Sequence, residues 1–161
     1  MIKVMPVPKP LWHRNANRKL GREWERIRRD VFREQGPDCR ACLSTPKELE
    51  CDEEWMYDDH RNCARLVGFR MLCKPCHAAK HFLRSEREGL GPDCLRHIAR
   101  VNKWDKVTTL EHVQAEMRLW NERSRSKWTV EVEASLVERY PALEKLATDF
   151  PSKQGSLFSQ E

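Results

Sequence analysis

Four cysteines and two histidines stand at spacings that suit metal ions. Cys39 and Cys42 form one Cys-x-x-Cys pair, Cys73 and Cys76 form a second, and thirty residues lie between the pairs. Each such turn offers two thiolates from one bend of backbone. Two of them supply the tetrahedral four-sulfur set that structural zinc takes. The pattern predicts one Zn2+ held by Cys39, Cys42, Cys73 and Cys76. A thioredoxin-like redox pair is the competing reading, but there are two pairs and no βαβ pattern around either. A four-thiolate zinc has no open coordination position, so this ion is scaffold and not catalyst. Cys51, Cys63 and Cys94 lack partners at ligand spacing and are expected to be small buried apolar side chains.

His77 and His81 follow the second pair directly, four residues apart, so on a helix their imidazoles share one face. Two imidazoles make half of a metal site. Upstream lies an acidic run that could complete it: residues 43–60 hold one Lys/Arg against seven Asp/Glu. A carboxylate of this run is expected to join His77 and His81 around a divalent ion. Such an ion, with open positions, would bind a phosphate oxygen and stabilise charge on the attacked phosphorus. Basic blocks flank the acidic run: ten Lys/Arg against four Asp/Glu in residues 1–35, and seven against one in 61–87. Lys74, Lys80, Arg84 and Arg87 are the residues expected to hold phosphates of a polyanion. Solvated surface is the plainer explanation of charge runs. The neighbouring metal motifs favour the polyanion.

The elements that must position these groups can be read from periodicity. Trp24, Ile27, Val31 and Phe32 recur at helical spacing over residues 20–34, and Trp24 and Phe32 are expected in the core. Residues 49–56 alternate with period two and predict a strand. "DDHRN" (58–62) is a loop and residues 64–73 a second strand. "CHAAKHFLRSEREG" (76–89) reads as one helix carrying both histidines, closed by glycine. Two more helices are expected, over 94–104 and from Thr108, where Glu111 would complete a capping box. Leu110, Val113, Met117 and Trp120 are its apolar stripe. Val130 and Val132 alternate like a strand, whereas Leu136, Tyr140, Leu143 and Leu146 space like a helix. Arg118, Arg123, Arg125 and Lys127 are read as ordinary solvated surface.

The whole is an α+β chain of 161 residues. Its expected organisation is an extended N-terminal arm (1–19), a zinc-stapled domain (20–92), a helical extension packed on it (93–148) and a flexible tail (149–161). The opening "MIKVMPVPKPLWHRN" has no apolar signal-peptide core, and no run approaches the ~20 apolar residues of a membrane span. A cytoplasmic location, with reduced thiols and no membrane partner, is expected.

The order of Cys-x-x-Cys, strand, loop, strand, Cys-x-x-Cys and a Cys-His-x-x-Lys-His helix resembles the ββα-metal (HNH, His-Asn-His) endonucleases that carry a four-cysteine zinc. It is similar in particular to a group of small bacterial and phage HNH proteins. "ECDEEWMYDD" (50–59) and "LVGFRMLCKPCHAAKHF" (66–82) carry the resemblance. It continues through "HIARVN" (97–102) and "RSRSKWTVEVEASL" (123–136). The resemblance implies a ββα-metal finger, hydrolysis of phosphodiester bonds to 5′-phosphate and 3′-hydroxyl ends, and a single Mg2+ or Mn2+ held by His77 and His81. Double-stranded DNA is the expected partner. In the group a strand histidine polarises the attacking water; here Asp52 stands in its place. A carboxylate is a weak base at neutral pH unless its pKa is raised, so Asp52 suits a third ligand better. Glu53 and the loop residue His60 are the other candidates to activate water. Gly68 stands about where the group has its middle asparagine. The expected function is a metal-dependent HNH-type endonuclease. The alternative is an inactive HNH-like zinc protein that binds nucleic acid or acts as an inhibitor or interaction module.

Overall fold

A computed structural model describes residues 1–147; the tail assigned to 149–161 lies outside the described residues. The α+β expectation agrees with the architecture: three strands, seven α-helices and two short 3-10 turns among the described residues. Strands β1 (Leu49–Asp58) and β2 (Cys63–Cys73) form an antiparallel hairpin in which Asp52 faces Arg70. Strand β3 (Thr129–Val132) pairs with β2 in parallel, giving the order β1-β2-β3. The alternating segment after residue 128 is thus strand, and the chain beyond it is helical: α7 (Ala134–Arg139), then the 3-10 turn Pro141–Leu146.

The first helical stretch begins earlier than expected and is broken. Asn15 caps α1 (Ala16–Leu20) by accepting the Arg18 N–H at 3.1 Å. Gly21, at φ +52°, then turns the chain into α2 (Arg22–Gln35), a backbone conformation open to glycine and costly for residues with a Cβ. Trp24, Ile27 and Val31 bury one stripe of α2, and Trp24 meets Phe69 edge to face. Phe32 is 46% exposed, contrary to the expectation of a core position. It sits one residue past Val31, about 100° around the helix from the buried stripe.

The helix expected over 76–89 is two. Helix α3 (Lys74–Lys80) carries Pro75 in its first turn, where a missing N–H costs nothing. It stops at His81, whose φ −92° and ψ 43° leave the helical region, and α4 (Phe82–Arg87) follows. Helix α5 (Gly91–Asn102) leads to α6 (Lys106–Arg123). The cap of α6 is Asp105, which accepts the Thr108 N–H at 2.7 Å, so the capping box assigned to Thr108 and Glu111 is not formed. Val113 and Trp120 of its stripe are buried, and Leu110 and Met117 half-buried.

The arm, the β1-β2 hairpin with α3 and α4, and helices α5 and α6 share one apolar cluster. Ile2 and Val4 enter a cluster with Cys39, Leu72, Phe82, Ile98 and Val113. The arm is tied there by Met5 N–H to the Lys80 carbonyl at 2.9 Å and by a reciprocal pair between Ile2 and Asn102. Tyr140, Leu143 and Leu146 close a second cluster over α1, α2 and the β2 face. The arm is therefore ordered, and it forms a wall of the site. Among the described residues, no helix is long and apolar enough to cross a membrane.

Candidate metal centres and the cleft beside them

The four predicted cysteines converge. Their sulfurs lie within 4.8 Å of one another, and Cys42 Sγ is 3.8 Å from Cys73 Sγ. A tetrahedral zinc with sulfur at about 2.3 Å has edges of about 3.8 Å, so the set fits a Zn2+ ion. Backbone builds the first turn: Leu43 N–H bonds the Cys39 carbonyl, Cys39 N–H bonds the Ser44 carbonyl, and Leu43 takes the left-handed φ of +61°. Arg40 N–H reaches the Met71 carbonyl at 2.9 Å and docks this turn on β2. The second turn is the β2–α3 junction itself. Burial and the neighbouring thiols push the Cys76 thiol up, and burial likewise raises Cys73. Cys42 differs: burial opposes its charge, but the Ser44 hydroxyl and N–H bring it down to about 7. Four crowded sulfurs need a cation to be thiolates together.

Sequence reasoning missed a further partner. His97 Nε2 lies 3.1 Å from Cys76 Sγ, and Arg100 donates to His97 Nδ1 at 2.9 Å. The Arg100 contact makes Nδ1 the acceptor, so Nε2–H is the donor toward sulfur. The signal was the i, i+3 pair of His97 and Arg100 on an amphipathic helix, which has no meaning until α5 is packed against α3.

Asp52, His77 and His81 also come together, each offering a ligand atom within 4.8 Å of the others. Asp52 Oδ1 is 3.5 Å from His77 Nε2 and 3.3 Å from His81 Nε2, with ring centroids 4.8 Å apart. The other polar atoms of His77 and Asp52 are spoken for. His77 Nδ1 is 2.5 Å from Glu50 Oε2, a carboxylate behind an imidazole that turns Nε2 toward the site. Asp52 Oδ2 accepts from Lys80 Nζ at 2.5 Å and from Arg70 Nε at 3.2 Å. Burial works against the Asp52 charge, but hydrogen bonds from both imidazoles and the Lys80 ammonium outweigh it, holding the carboxyl below the usual range. Burial lowers Lys80, and Asp52 opposes the change; at this separation the pair is ammonium and carboxylate. The imidazoles diverge. Burial would lower His77, but Asp52 and Glu50 prevail and raise it. Burial, with Lys80 and His77 nearby, lowers His81. A cation binding there must displace the His77 proton.

Several expected roles are corrected by placement. Lys80 is 3% exposed and clamps Asp52 and the Glu53 carbonyl (2.7 Å), so it is not a surface contact for phosphate. Lys74 is exposed and pairs with Glu48 at 2.6 Å. Glu53 is engaged at both oxygens, by Ala16 N–H at 2.6 Å and Trp55 Nε1–H at 2.8 Å, and so positions α1 against β1. Burial pushes its carboxyl up against those two bonds. Glu53→Ala is expected to cost about 1–3 kcal/mol by stranding both donors, read as a lower urea midpoint with unchanged slope. His60 is exposed in the turn beyond β1, eight residues past Asp52, with six strand residues spanning about 20 Å between them. It does not reach the triad and is removed as a base.

The triad opens on a cleft of about 480 Å³ between the arm, α1, β1 and α4. Arg84, whose guanidinium also pairs with Glu88 at 2.9 Å, and Arg87 line it together with Arg14 and Arg18. The two acidic groups in its wall, Asp52 and Glu53, are both paired internally. Trp12, Trp24, Trp55 and Tyr57 supply aromatic surface. Comparison with protein-family models, curated proteins and solved structures finds no match to this chain.

Proposed function

We propose that the protein is a metal-dependent nuclease of the HNH type that hydrolyses phosphodiester bonds at the Asp52/His77/His81 triad. The observation that carries this reading is the convergence of one carboxylate and two imidazoles at the edge of a cleft whose unpaired charge is positive. The β1-β2 hairpin followed by α3, stapled by four cysteines, is the arrangement expected of a ββα-metal finger. Two nitrogen donors and one oxygen favour Mn2+ or another first-row transition ion over Mg2+, which prefers oxygen. When bound, such an ion supplies Lewis-acid stabilisation of charge on the attacked phosphate. Asp52 Oδ1 and the two Nε2 atoms would hold it; Glu50 and Lys80 fix the orientation of those side chains, and Arg84 and Arg87 would draw the neighbouring phosphates in.

Asp52 is not the base in this reading. Its second oxygen is occupied by Lys80 and Arg70, and its charge is too well stabilised to take a proton from water near neutrality. The same fact favours a second reading, a nucleic-acid-binding protein that does not cleave. The test is nicking of supercoiled plasmid with Mn2+ added to the zinc-loaded chain. Wild type is expected to nick, and His77→Ala to lose at least about 100-fold of that rate while remaining folded. An inert wild type that still retards the plasmid on a gel would select the second reading.

A further inference from the structure

The cleft holds more than phosphate contacts. Trp12 is 45% exposed, lines the cleft, and is fixed by its Nε1–H to the Val7 carbonyl at 2.8 Å. The Arg87 guanidinium stands 5.7 Å from its ring centroid, and Leu11, Pro6 and Leu83 extend the apolar wall. A single exposed apolar side chain such as Phe32 is ordinary, but Trp12 lines a concave site together with Arg14, Arg18, Arg84 and Arg87. A B-form duplex keeps its bases stacked inside and shows only groove edges, which are read by elements that protrude into them. A concave pocket with an indole wall reaches no base in such a duplex. It does suit a base that has left the stack, with the ring as platform and the arginines on the adjoining phosphates. The volume, about 480 Å³, falls within the range of about 300–1,000 Å³ typical of small-ligand sites.

We infer that the cleft binds an unpaired nucleotide of a single nucleic-acid strand, with Trp12 as stacking platform and Arg14, Arg18, Arg84 and Arg87 as phosphate contacts. This rests on the nucleic-acid reading given above and replaces double-stranded DNA by an unpaired strand as the preferred ligand.

The experiment is fluorescence anisotropy of a labelled 12-nucleotide DNA strand and of the matching 12-base-pair duplex, against the full zinc-loaded chain with no further divalent ion. The single strand is expected to bind at least about tenfold more tightly than the duplex. Four phosphate contacts on a single strand give a slope of about −3 in log K against log salt. Trp12→Ala should weaken single-strand binding by about 5- to 150-fold, the equivalent of losing one base stack, and leave duplex binding nearly unchanged. Trp12→Phe keeps a ring but loses the bond to Val7, and is expected to retain most of the affinity. Equal affinity for strand and duplex would overturn the inference, and so would a Trp12→Phe loss as large as that of Trp12→Ala. The latter would mean that the arm's position, and not stacking, is what matters. Since no cleavage is read, a protein that binds strands but never nicks sinks the hydrolase and leaves the platform standing. Plasmid nicking that survives with strand binding absent does the reverse.

Discussion

Removing the metal from the four-cysteine site is expected to abolish the folded state of the whole described chain. The sulfurs are not peripheral: Cys39 is 0% and Cys76 1% exposed, inside the cluster that also holds Ile2, Leu72, Ile98 and Val113. The site ties the Cys39–Cys42 turn to the β2–α3 junction, one residue from His77. Without the ion, four crowded thiols must be buried with no cation, and the turn at Leu43 loses its anchor. Structural zinc contributes about 10–16 kcal/mol in small metal-folded peptides, against a net stability of about 5–15 kcal/mol for an ordinary domain. One zinc per chain by elemental analysis, and loss of the cooperative thermal transition on chelation or in Cys76→Ser, is the expected result. Cys63→Ala should keep its zinc, because Cys63 lies at the far end of β2 from the four-cysteine cluster. A cooperative transition of unchanged midpoint in the zinc-free chain would refute the staple.

Much of this site was legible in the sequence because metal chemistry fixes spacing. Cys-x-x-Cys turns, a histidine pair four residues apart and a period-two acidic strand are local signals, and each leads to the side chains that meet. The purpose of the acidity was not legible. It reads as a like-charge knot, yet most carboxylates of β1 and its turn are engaged by groups on other elements. Glu50 orients His77, Asp52 takes Lys80 and Arg70, Glu53 holds α1, and Asp59 is gripped by Arg123 of α6 at 2.7 Å. No spacing rule encodes such pairings, because they depend on which helix packs over which face. Lys80 escapes sequence reasoning for the same reason: a lysine among basic residues looks solvated until α3 lies on β1. The order of the arm escapes it although a signal exists. Ile2, Val4, Pro6 and Pro8 alternate with exposed or half-buried residues, and all four are buried. Period two marks a segment covered on one side, even where prolines forbid a strand ladder.

Lys80→Met is expected to destabilise the protein by about 3–5 kcal/mol, the cost of stranding a buried carboxylate whose partner is removed. Asp52 has a side chain 3% exposed and Lys80 4%, so water cannot take over the lost contact. Arg70 Nε at 3.2 Å remains but reaches only the oxygen that Lys80 has left, and the Glu53 carbonyl loses its donor as well. Joining Lys80→Met with Asp52→Leu should recover much of the loss, because a buried ion pair replaced by apolar side chains of similar volume is often close to neutral. A double-mutant cycle in urea measures the coupling directly. Acid provides an independent check. In the wild type the Asp52 carboxyl lies below the ordinary range, so the pair's contribution persists down through that range and is lost only beneath it. In Lys80→Met the carboxyl has lost its ammonium and its pKa must rise, so protonation relieves the variant first. As pH falls, the stability gap should therefore begin to narrow at a higher pH than that at which the wild type loses the pair. A gap that stays below about 1 kcal/mol at neutral pH would mean that Lys80 is solvated in solution. The clamp that turns Asp52 Oδ1 toward the histidines would then not exist.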